Sequence, residues 1–187
     1  DMAGVAVLRG IPDALAIRAH VERRRPRRCV LVGGGYIGIE MAEAMRALDL
    51  DVTLVDHGAS ILRILDSEMS TLVASCLATN GVTVQYERDV TALRGAEAVE
   101  EVIFADGSSL PADTVVVGVG VEPNVEIARN AGIALGESGA IRVDSAQRTS
   151  QSHVYAAGDC AEARHLVLGR DVHIPLGTTA NKQGRAA

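Results

Sequence analysis

The sequence lacks the spacing patterns of several kinds of site, and each absence excludes a class of protein. Its three cysteines, Cys29, Cys76 and Cys160, form no C-x-x-C pair, so their spacing indicates neither a disulfide framework nor a zinc site. The five histidines lack the i, i+4 spacing that places two metal ligands on one helix face. We therefore expect reduced, buried thiols and no bound metal.

Long apolar runs and an excess of positive charge are also missing. No stretch approaches the roughly eighteen apolar residues that a membrane span requires, and residues 1–10 lack the basic start and apolar centre of a signal peptide. The formal net charge is -6, which argues against nucleic acid as a main partner because phosphate contacts draw on clustered Lys and Arg. These observations predict a cytoplasmic protein without a membrane or nucleic-acid partner.

The residues that are present form a pattern typical of an α/β protein. Of the 187 residues, 48% are hydrophobic and 22% are charged, which suits one globular domain or a domain with part of a neighbour. Continuous apolar runs predict parallel strands covered on both faces, at Cys29–Val32, Val52–Asp56, Val82–Tyr86 and Thr114–Gly118. Helical spacing predicts one helix from Ile11 into the solvated basic run Arg23–Arg28, one from Ile37, and one after Asp66.

The helix faces and the later segments can also be predicted. The apolar faces are expected to be Ile37, Met41, Ala44, Met45 and Leu48 on the second helix, and Met69, Leu72, Val73, Cys76 and Leu77 on the third. Between Asp89 and Leu110 the apolar period changes to two around Asp106-Gly107, which predicts a small antiparallel meander. Val154–Asp159 reads as a further strand that ends in Gly-Asp.

Residues 33–38, Gly-Gly-Gly-Tyr-Ile-Gly, match the G-x-G-x-x-G pattern between a predicted strand and a predicted helix. Gly33 would permit the tight turn, Gly35 would let the backbone approach a pyrophosphate, and Gly38 would let the helix pack closely on the strand. The free N–H groups and the dipole of the helix N-terminus would favour the anion. This pattern in this context predicts a dinucleotide site.

Asp56 ends the second strand about 20 residues further on, where a carboxylate can accept hydrogen bonds from the adenosine ribose. The same carboxylate would repel a 2′-phosphate, so NADH is expected to be favoured over NADPH. His57 weakens this preference slightly, because a protonated imidazole would offset part of the repulsion.

Three segments, taken in order along the chain, resemble the motifs of the FAD-dependent pyridine nucleotide-disulfide oxidoreductases: Gly33–Glu40, Gly118–Asn124 and Thr149–Asp159. The resemblance implies an α/β fold in which a Rossmann-like parallel sheet carries an inserted antiparallel β-meander and is joined to a partial FAD-domain segment. It implies an interdomain connection at residues 1–10, a NAD(H)-binding Rossmann domain at 11–118, and the incomplete C-terminal part of a FAD-binding domain at 119–187.

The resemblance also implies roles for single residues. Tyr36 would cover the flavin ring and move aside for nicotinamide, and Glu40 would pair with a lysine of the flavin domain outside this chain. Asp159, after Gly158, would hydrogen-bond the flavin ribitol. Simpler interpretations stay open: Tyr36 packs over the turn, Glu40 is an exposed acid in the first helical turn, and Asp159 is a helix N-cap.

Two sets of cofactor contacts follow. The residues expected at NAD are Gly33, Gly35, Tyr36, Ile37, Gly38, Asp56, His57, Gly118, Val119 and Gly120, and those expected at FAD are Gly158 and Asp159. Gly118 and Gly120 would let the chain pass close to the nicotinamide, although close domain packing alone could also require glycine.

The tail from Pro175 to Arg185 is similar to that of coenzyme A-disulfide reductases and NADH oxidases or peroxidases. In that subgroup the redox cysteine precedes the NAD domain, so Cys160 is expected to be a small buried residue instead. The first FAD motif, the redox cysteine and the dimerisation domain of the family have no counterpart in these residues. We therefore expect this chain alone to be inactive and not to retain FAD, and the parent enzyme to be a homodimer.

The resemblance implies that the parent transfers hydride from NADH to FAD and then reduces a disulfide, persulfide, peroxide or oxygen. One alternative is a flavin-free Rossmann module that senses NADH, against which the second nucleotide motif near Asp159 argues. Another is a simple NAD-dependent dehydrogenase, but no Ser/Tyr/Lys or His/Asp set is evident that would carry proton transfer to an alcohol.

Overall fold

The computed structural model describes residues 2–187, so Asp1 of the predicted connection lies outside the described part. The chain forms two compact units, one that ends at Gly120 and one that spans Val121–Ala187. The first unit contains, in chain order, β1 (Val5–Val7), α1 (Ile11–Arg24), β2 (Arg28–Val32), α2 (Tyr36–Ala47), β3 (Asp51–Val55), α3 (Ser67–Thr79), β4 (Val82–Gln85), β5 (Val90–Arg94), β6 (Glu101–Phe104), β7 (Ser109–Pro111) and β8 (Thr114–Val117). The second contains α4 (Glu126–Asn130), β9 (Ala163–His165), β10 (Arg170–Val172) and α5 (Gly177–Ala186).

Five parallel strands form the central sheet of the first unit, in the order β1-β8-β2-β3-β4. One face of this sheet packs on the three helices, through a cluster that includes Leu31, Leu54 and Val116. The other face packs on the antiparallel meander β5-β6-β7, through a cluster that includes Val30 and Val115. Because both faces are covered, the central strands are apolar at successive positions, as the sequence indicated.

The α/β architecture with a parallel sheet and an inserted antiparallel meander is confirmed. The turn of the meander lies at Asp106-Gly107, where Gly107 has a φ of 80°. Strand β1 was not anticipated, since residues 1–10 were expected to form only a connection. It is one of the two edge strands of the sheet and pairs in parallel with β8.

The predicted helix faces were wrong in part. On α3, Ser70 and Leu77 are buried, whereas Met69 and Leu72 are 50% and 62% exposed and Cys76 is also exposed. On α2, Gly38, Met41, Ala42 and Met45 are buried, while Ala44 and Leu48 are exposed. The buried stripes are narrower than the apolar stripes and are rotated from them, because each helix is covered by the sheet along one side only.

The second unit has a small core of Val125, Ala128, Ile141, Ala156 and Ala161. The prediction of a strand at Val154–Asp159 was wrong, because the structure has only an isolated bridge between Tyr155 and Arg148. A strand needs a neighbour for its backbone N–H and C=O groups. Val154 and Tyr155 are 39% and 50% exposed, so this segment finds little cover in the described chain. The tail forms α5, a helix that was not predicted from the sequence.

No helix in the part of the chain that the structure describes is long and apolar enough to cross a membrane.

Candidate functional site

The Gly-rich turn links the end of β2 to the start of α2 and is very closely packed at two of its glycines. Gly33 has a φ of 108°, and a Cβ there would overlap the carbonyl oxygen of Gly118 at the end of β8. A Cβ at Gly38 would overlap the carbonyl oxygen of Gly33. These contacts bring helix, turn and two strand ends together without intervening side chains, which is the geometry expected of the first and third glycines of the motif.

Gly35 has the opposite surroundings. No heavy atom lies within 4 Å of the position that its Cβ would occupy, although its φ of -82° would allow any residue. Gly35 is the N-cap of α2, and no side chain caps this helix end. The first N–H groups of an α-helix have no partner within the helix, so they are available to an anion. The turn thus presents backbone donors beside open space.

Asp56 holds the turn in this shape. Asp56 is only 6% exposed, and its carboxylate accepts hydrogen bonds from Gly34 N at 2.6 Å and from Gly58 N at 2.7 Å. The carboxylate therefore links the Gly-rich turn to the loop after β3. Each oxygen has a second lone pair and can still accept a hydrogen bond from a ribose hydroxyl.

Five residues of this site were not among the contacts predicted from the sequence: Gly34, Gly58, Ile61, Leu62 and Arg63. A Cβ at Gly34 would lie 2.5 Å from Ile61 Cγ2, and Leu62 N donates to Gly34 O at 2.8 Å, so the loop after β3 packs directly on the turn. Gly58 leaves room for the side chain of Arg63. Gly34 lies within the Gly-rich motif, so the sequence could have indicated it. The other contacts depend on how the loop after β3 folds back onto the turn.

The predicted residues around the turn differ in exposure. Tyr36 is 45% exposed, and Glu40 is exposed as the fifth residue of α2, so the alternative that placed it in the first turn was wrong. Ile37 packs its side chain against the helix-side core, and its backbone N–H is one of the first of α2, which have no partner within the helix. His57 is exposed, and its Nδ1 lies 3.8 Å from Asp56 Oδ1.

The segment after β8 lies beside the turn. Gly118 N donates to Val32 O at 2.8 Å, and a Cβ at Gly118 would lie 3.5 Å from Ile37 Cγ2. Val119 is 73% exposed, and Gly120 has a φ of 125° with open space at its Cβ position. Gly33, Gly38 and Gly118 thus meet at the C-terminal ends of β2 and β8.

In the second unit, Gly158 and Asp159 form a turn that is tied to α5. Gly158 has a φ of 85°, and its N–H donates to Gln183 Oε1 at 2.9 Å. Gln183 is buried, and its Nε2 donates to Glu162 O at 2.8 Å. No helix begins at Asp159, so the N-cap alternative was wrong. Asp159 is exposed, and its carboxylate accepts no hydrogen bond from any described residue.

The cysteines contribute no redox pair to the described residues. Cys29 is buried in β2, and this burial raises the pKa of its thiol to about 12, which keeps the thiol protonated. Cys160 is half-buried beside the core of the second unit, and its Sγ donates to Ala157 O at 3.5 Å. All three cysteines are free, but the expectation that they are buried was wrong for two of them, since Cys76 is exposed and Cys160 is only half-buried.

Comparisons with known proteins agree with this geometry. The chain is 40% identical over its whole length to a CoA-dependent NAD(P)H sulfur oxidoreductase of Pyrococcus abyssi, of which it covers 42%. Its structure is similar to that of reduced CoADR-RHD from Bacillus anthracis, with a TM-score of 0.93, 34% identity, and coverage of 99% of this chain and 33% of the other. It is also similar to a NAD-dependent persulfide reductase from A. fulgidus, with a TM-score of 0.91, 38% identity, and coverage of 98% and 34%.

The chain spans less than half the length of these relatives. Residues 2–184 match the family described as pyridine nucleotide-disulphide oxidoreductase. The matched residues include the Gly-rich turn, Asp56 and the Gly158-Asp159 turn. The chain therefore belongs to the pyridine nucleotide-disulphide oxidoreductase family.

Proposed function

We propose that the unit ending at Gly120 binds NADH on the turn between β2 and α2. The observation that carries this proposal is the combination of open space at Gly35 with the two backbone hydrogen bonds to Asp56. The pyrophosphate would lie on the N-terminus of α2, where backbone N–H groups and the helix dipole both favour an anion. Gly118, Val119 and Gly120 would lie along the nicotinamide half.

Asp56 would bind the adenosine ribose through the lone pairs that Gly34 and Gly58 leave free. Its negative charge opposes a 2′-phosphate, so we propose that NADH is favoured over NADPH. The exposed imidazole of His57 would contact the same part of the nucleotide.

In the whole protein, we propose a flavoprotein reaction in which bound FAD accepts hydride from NADH and passes electrons to a disulfide, persulfide, peroxide or oxygen. Tyr36 would cover the flavin ring until nicotinamide enters, a role that suits its exposed position at the start of α2. Glu40 would pair with a lysine outside this chain. The exposed, unpaired carboxylate of Asp159 would accept a hydrogen bond from the flavin ribitol, on a turn that Gln183 holds in place.

The relatives named above are oxidoreductases, so a flavin-free NADH sensor is not favoured. We also propose, from the sequence, that the parent enzyme is a homodimer located in the cytoplasm.

Calorimetric titration of the 187-residue chain tests the nucleotide site directly. We expect saturable binding of one NADH per chain, with weaker binding of NADPH. An NADH titration without binding heat, repeated with nucleotide fluorescence as a second readout, would contradict the proposed site.

Rapid reduction of the full-length flavoprotein tests the role of Glu40. We expect Glu40→Gln to slow flavin bleaching by NADH by roughly tenfold, the equivalent of about 1.4 kcal/mol in the barrier. Glu43→Gln is the matched control, since Glu43 is exposed on the same helix but has no proposed role. Equal rates in the two variants would remove Glu40 from the hydride-transfer site.

A further inference from the structure

A cavity lies at the edge of the sheet in the first unit, between α1 and the strands β1 and β8. Its volume is about 280 Å³. The walls are mostly aliphatic and include Val5, Ala6, Ala16, Ile17 and Val116. Neither the Gly-rich turn nor Asp56 lines it. The cavity is therefore separate from the proposed nucleotide site.

Thr114 brings an unpartnered hydroxyl group to this cavity. The residue is 3% exposed, and its Oγ1 has no hydrogen-bond partner among residues 2–187. Val116, two residues further along β8, belongs to the helix-side core, so the alternation of the strand places the Thr114 side chain on the side of α1 as well. Buried polar groups are almost always hydrogen-bonded, so this hydroxyl indicates that a further molecule supplies its partner.

His20 supplies a second buried polar atom beside the same cavity. Its Nε2 is buried and has no partner in the described part of the chain. Its Cε1 lies 3.6 Å from the position that a Cβ of Gly4 would occupy, and Asp113 O lies 2.9 Å from that position. The imidazole and the start of β8 therefore lie around the same glycine. Burial and the positive charges of Arg23 and Arg24 lower the pKa of His20, so the ring is neutral at pH 7.

The charges around the cavity favour an uncharged ligand over an ion. Asp13 lines the cavity, and its Oδ2 accepts hydrogen bonds from two backbone N–H groups at the start of α1. Arg23 and Arg24 lie at the other end of the same helix. An anion would meet the carboxylate and a cation would meet the arginines, and burying either charge without a direct partner is costly.

We propose that this cavity binds a small uncharged aromatic alcohol, with its hydroxyl group between Thr114 and His20. The ligand hydroxyl would donate to Nε2 of the neutral imidazole and accept from Thr114 Oγ1. The rings would contact the aliphatic walls. A cavity of about 150 Å³ holds one benzene ring, so the larger volume here suits two fused rings.

Ordered water is the simpler occupant, and it predicts different behaviour. Water would satisfy Thr114 Oγ1 and His20 Nε2 without using the aliphatic walls. An aromatic alcohol uses both the polar atoms and the walls. Its affinity should therefore fall when either the Thr114 hydroxyl or the space beside it is removed.

The test is a calorimetric titration of the 187-residue chain with 2-naphthol near pH 7, with and without saturating NADH. We expect one 2-naphthol per chain, with a dissociation constant on the order of 0.1 mM. NADH should change this constant by less than about twofold, because the two sites share no residue.

Two variants remove the two features of the cavity. Thr114→Val keeps the shape of the side chain and should weaken 2-naphthol by roughly tenfold without lowering the melting temperature, because it removes an unpaired buried hydroxyl. Ala6→Leu should fill the space and abolish saturable binding. Thr53→Val is the control, since Thr53 is half-buried in β3 of the same sheet and does not line the cavity.

Weakening in Thr114→Val and Ala6→Leu, but not in Thr53→Val, would support the inference. An unaltered chain without saturable binding heat leaves water as the occupant and overturns it. An unchanged affinity in either cavity variant, or displacement of 2-naphthol by NADH, also overturns it. The titration without NADH does not depend on the nucleotide site, so the two proposals can fail separately.

Discussion

The glycines of the nucleotide turn differ in their surroundings, and the same substitution should therefore have different effects at each. At Gly35 the space that a methyl group would fill is open, and φ is -82°. We expect Gly35→Ala to change the melting temperature by no more than about a degree or two. It should weaken the binding of NADH by at least about tenfold, because the methyl group would obstruct the pyrophosphate. Thermal unfolding and calorimetry on the same preparation measure both quantities.

Gly38→Ala provides the contrast. Its methyl group would overlap Gly33 O, so the turn or α2 must move. We expect a loss of stability of roughly 1–3 kcal/mol, which is typical of overpacking, together with weaker NADH binding. A stable Gly38→Ala variant that binds NADH normally would contradict the close packing described for the turn.

Cys29 should make stability depend on alkaline pH. Burial raises its pKa from 9.0 to about 12, so the folded state keeps the proton that the unfolded state loses. This contribution is fully present below pH 9 and is lost as pH rises toward 12. At pH 10.5 it should amount to a loss of roughly 2 kcal/mol. Urea unfolding at pH 8 and pH 10.5 measures it, and Cys29→Ala should show a smaller decrease than the unaltered chain.

The site residues that a local pattern specifies could be predicted, whereas those set by a returning loop could not. One βαβ unit contains these residues at a fixed spacing: Gly33, Gly35, Gly38 and Asp56. The structure brings them together at the C-terminal ends of β2 and β3. Arg63 packs on Gly58 only because the loop after β3 folds back. No short-range pattern encodes that return.

Among the elements, β2 and β8 are joined at their N-terminal ends by Asp113. The guanidinium of Arg28 and the N–H groups of Arg28 and Arg27 lower the pKa of this carboxyl to about 2. The contribution is present above about pH 4 and is lost as pH falls toward 2. We expect Asp113→Asn to cost about 1 kcal/mol at pH 7, a value reduced for partial exposure, and almost nothing at pH 2.

Urea unfolding at the two pH values checks this expectation, with Asp106→Asn as the matched control. The pKa of Asp106 is also lowered to about 2, by hydrogen bonds from Ser108 and by Arg88, but its carboxylate lies in an exposed hairpin. Solvent screens that carboxylate, so the control should change stability less. A larger loss of stability in Asp106→Asn than in Asp113→Asn would refute the role proposed for Asp113 between β2 and β8.

Helix α5 should stabilise the Gly158-Asp159 turn through a single side chain. Gln183→Leu removes the acceptor for Gly158 N and the donor to Glu162 O, and leaving buried backbone groups unpaired costs about 1–3 kcal/mol. We expect faster amide hydrogen exchange at residues 158–162. Asn181→Ala is the control, because Asn181 is exposed on the same helix. Unchanged exchange in Gln183→Leu would show that the turn is held by other contacts.

The strands could be predicted from the sequence where both faces are covered, and less well elsewhere. Residues 29–32 and 115–117 are apolar throughout because helices and meander enclose them. Strand β1 is short and lies at the sheet edge, so its apolar signal is weak. Val154–Asp159 carries a strong strand signal, but propensity alone does not make a strand when a single bridge residue is its partner.

At the scale of the whole molecule, the 187 residues should bind nucleotide but not flavin. The first unit contains the entire Gly-rich turn with Asp56, whereas the second offers an exposed Asp159 on one turn. We expect purified chain to be colourless, to bind NADH, and to catalyse no NADH oxidation. Absorbance at flavin wavelengths after incubation with FAD and gel filtration measures retention. A yellow protein with one FAD per chain would contradict this expectation.

The fold class was the most predictable property of the molecule, since alternating apolar runs and helical periods specify a covered parallel sheet. The division after Gly120 lies two residues beyond the boundary at Gly118 that the family resemblance implied.

The two hydrogen bonds from backbone to Asp56 have a consequence for the kinetics of recognition. They fix the turn and the adjacent loop before any ligand arrives, so little conformational entropy remains to be lost on association. A preorganised site of this kind needs no rearrangement before it binds NADH. Differences in affinity among variants should therefore appear mainly in the dissociation rate constant.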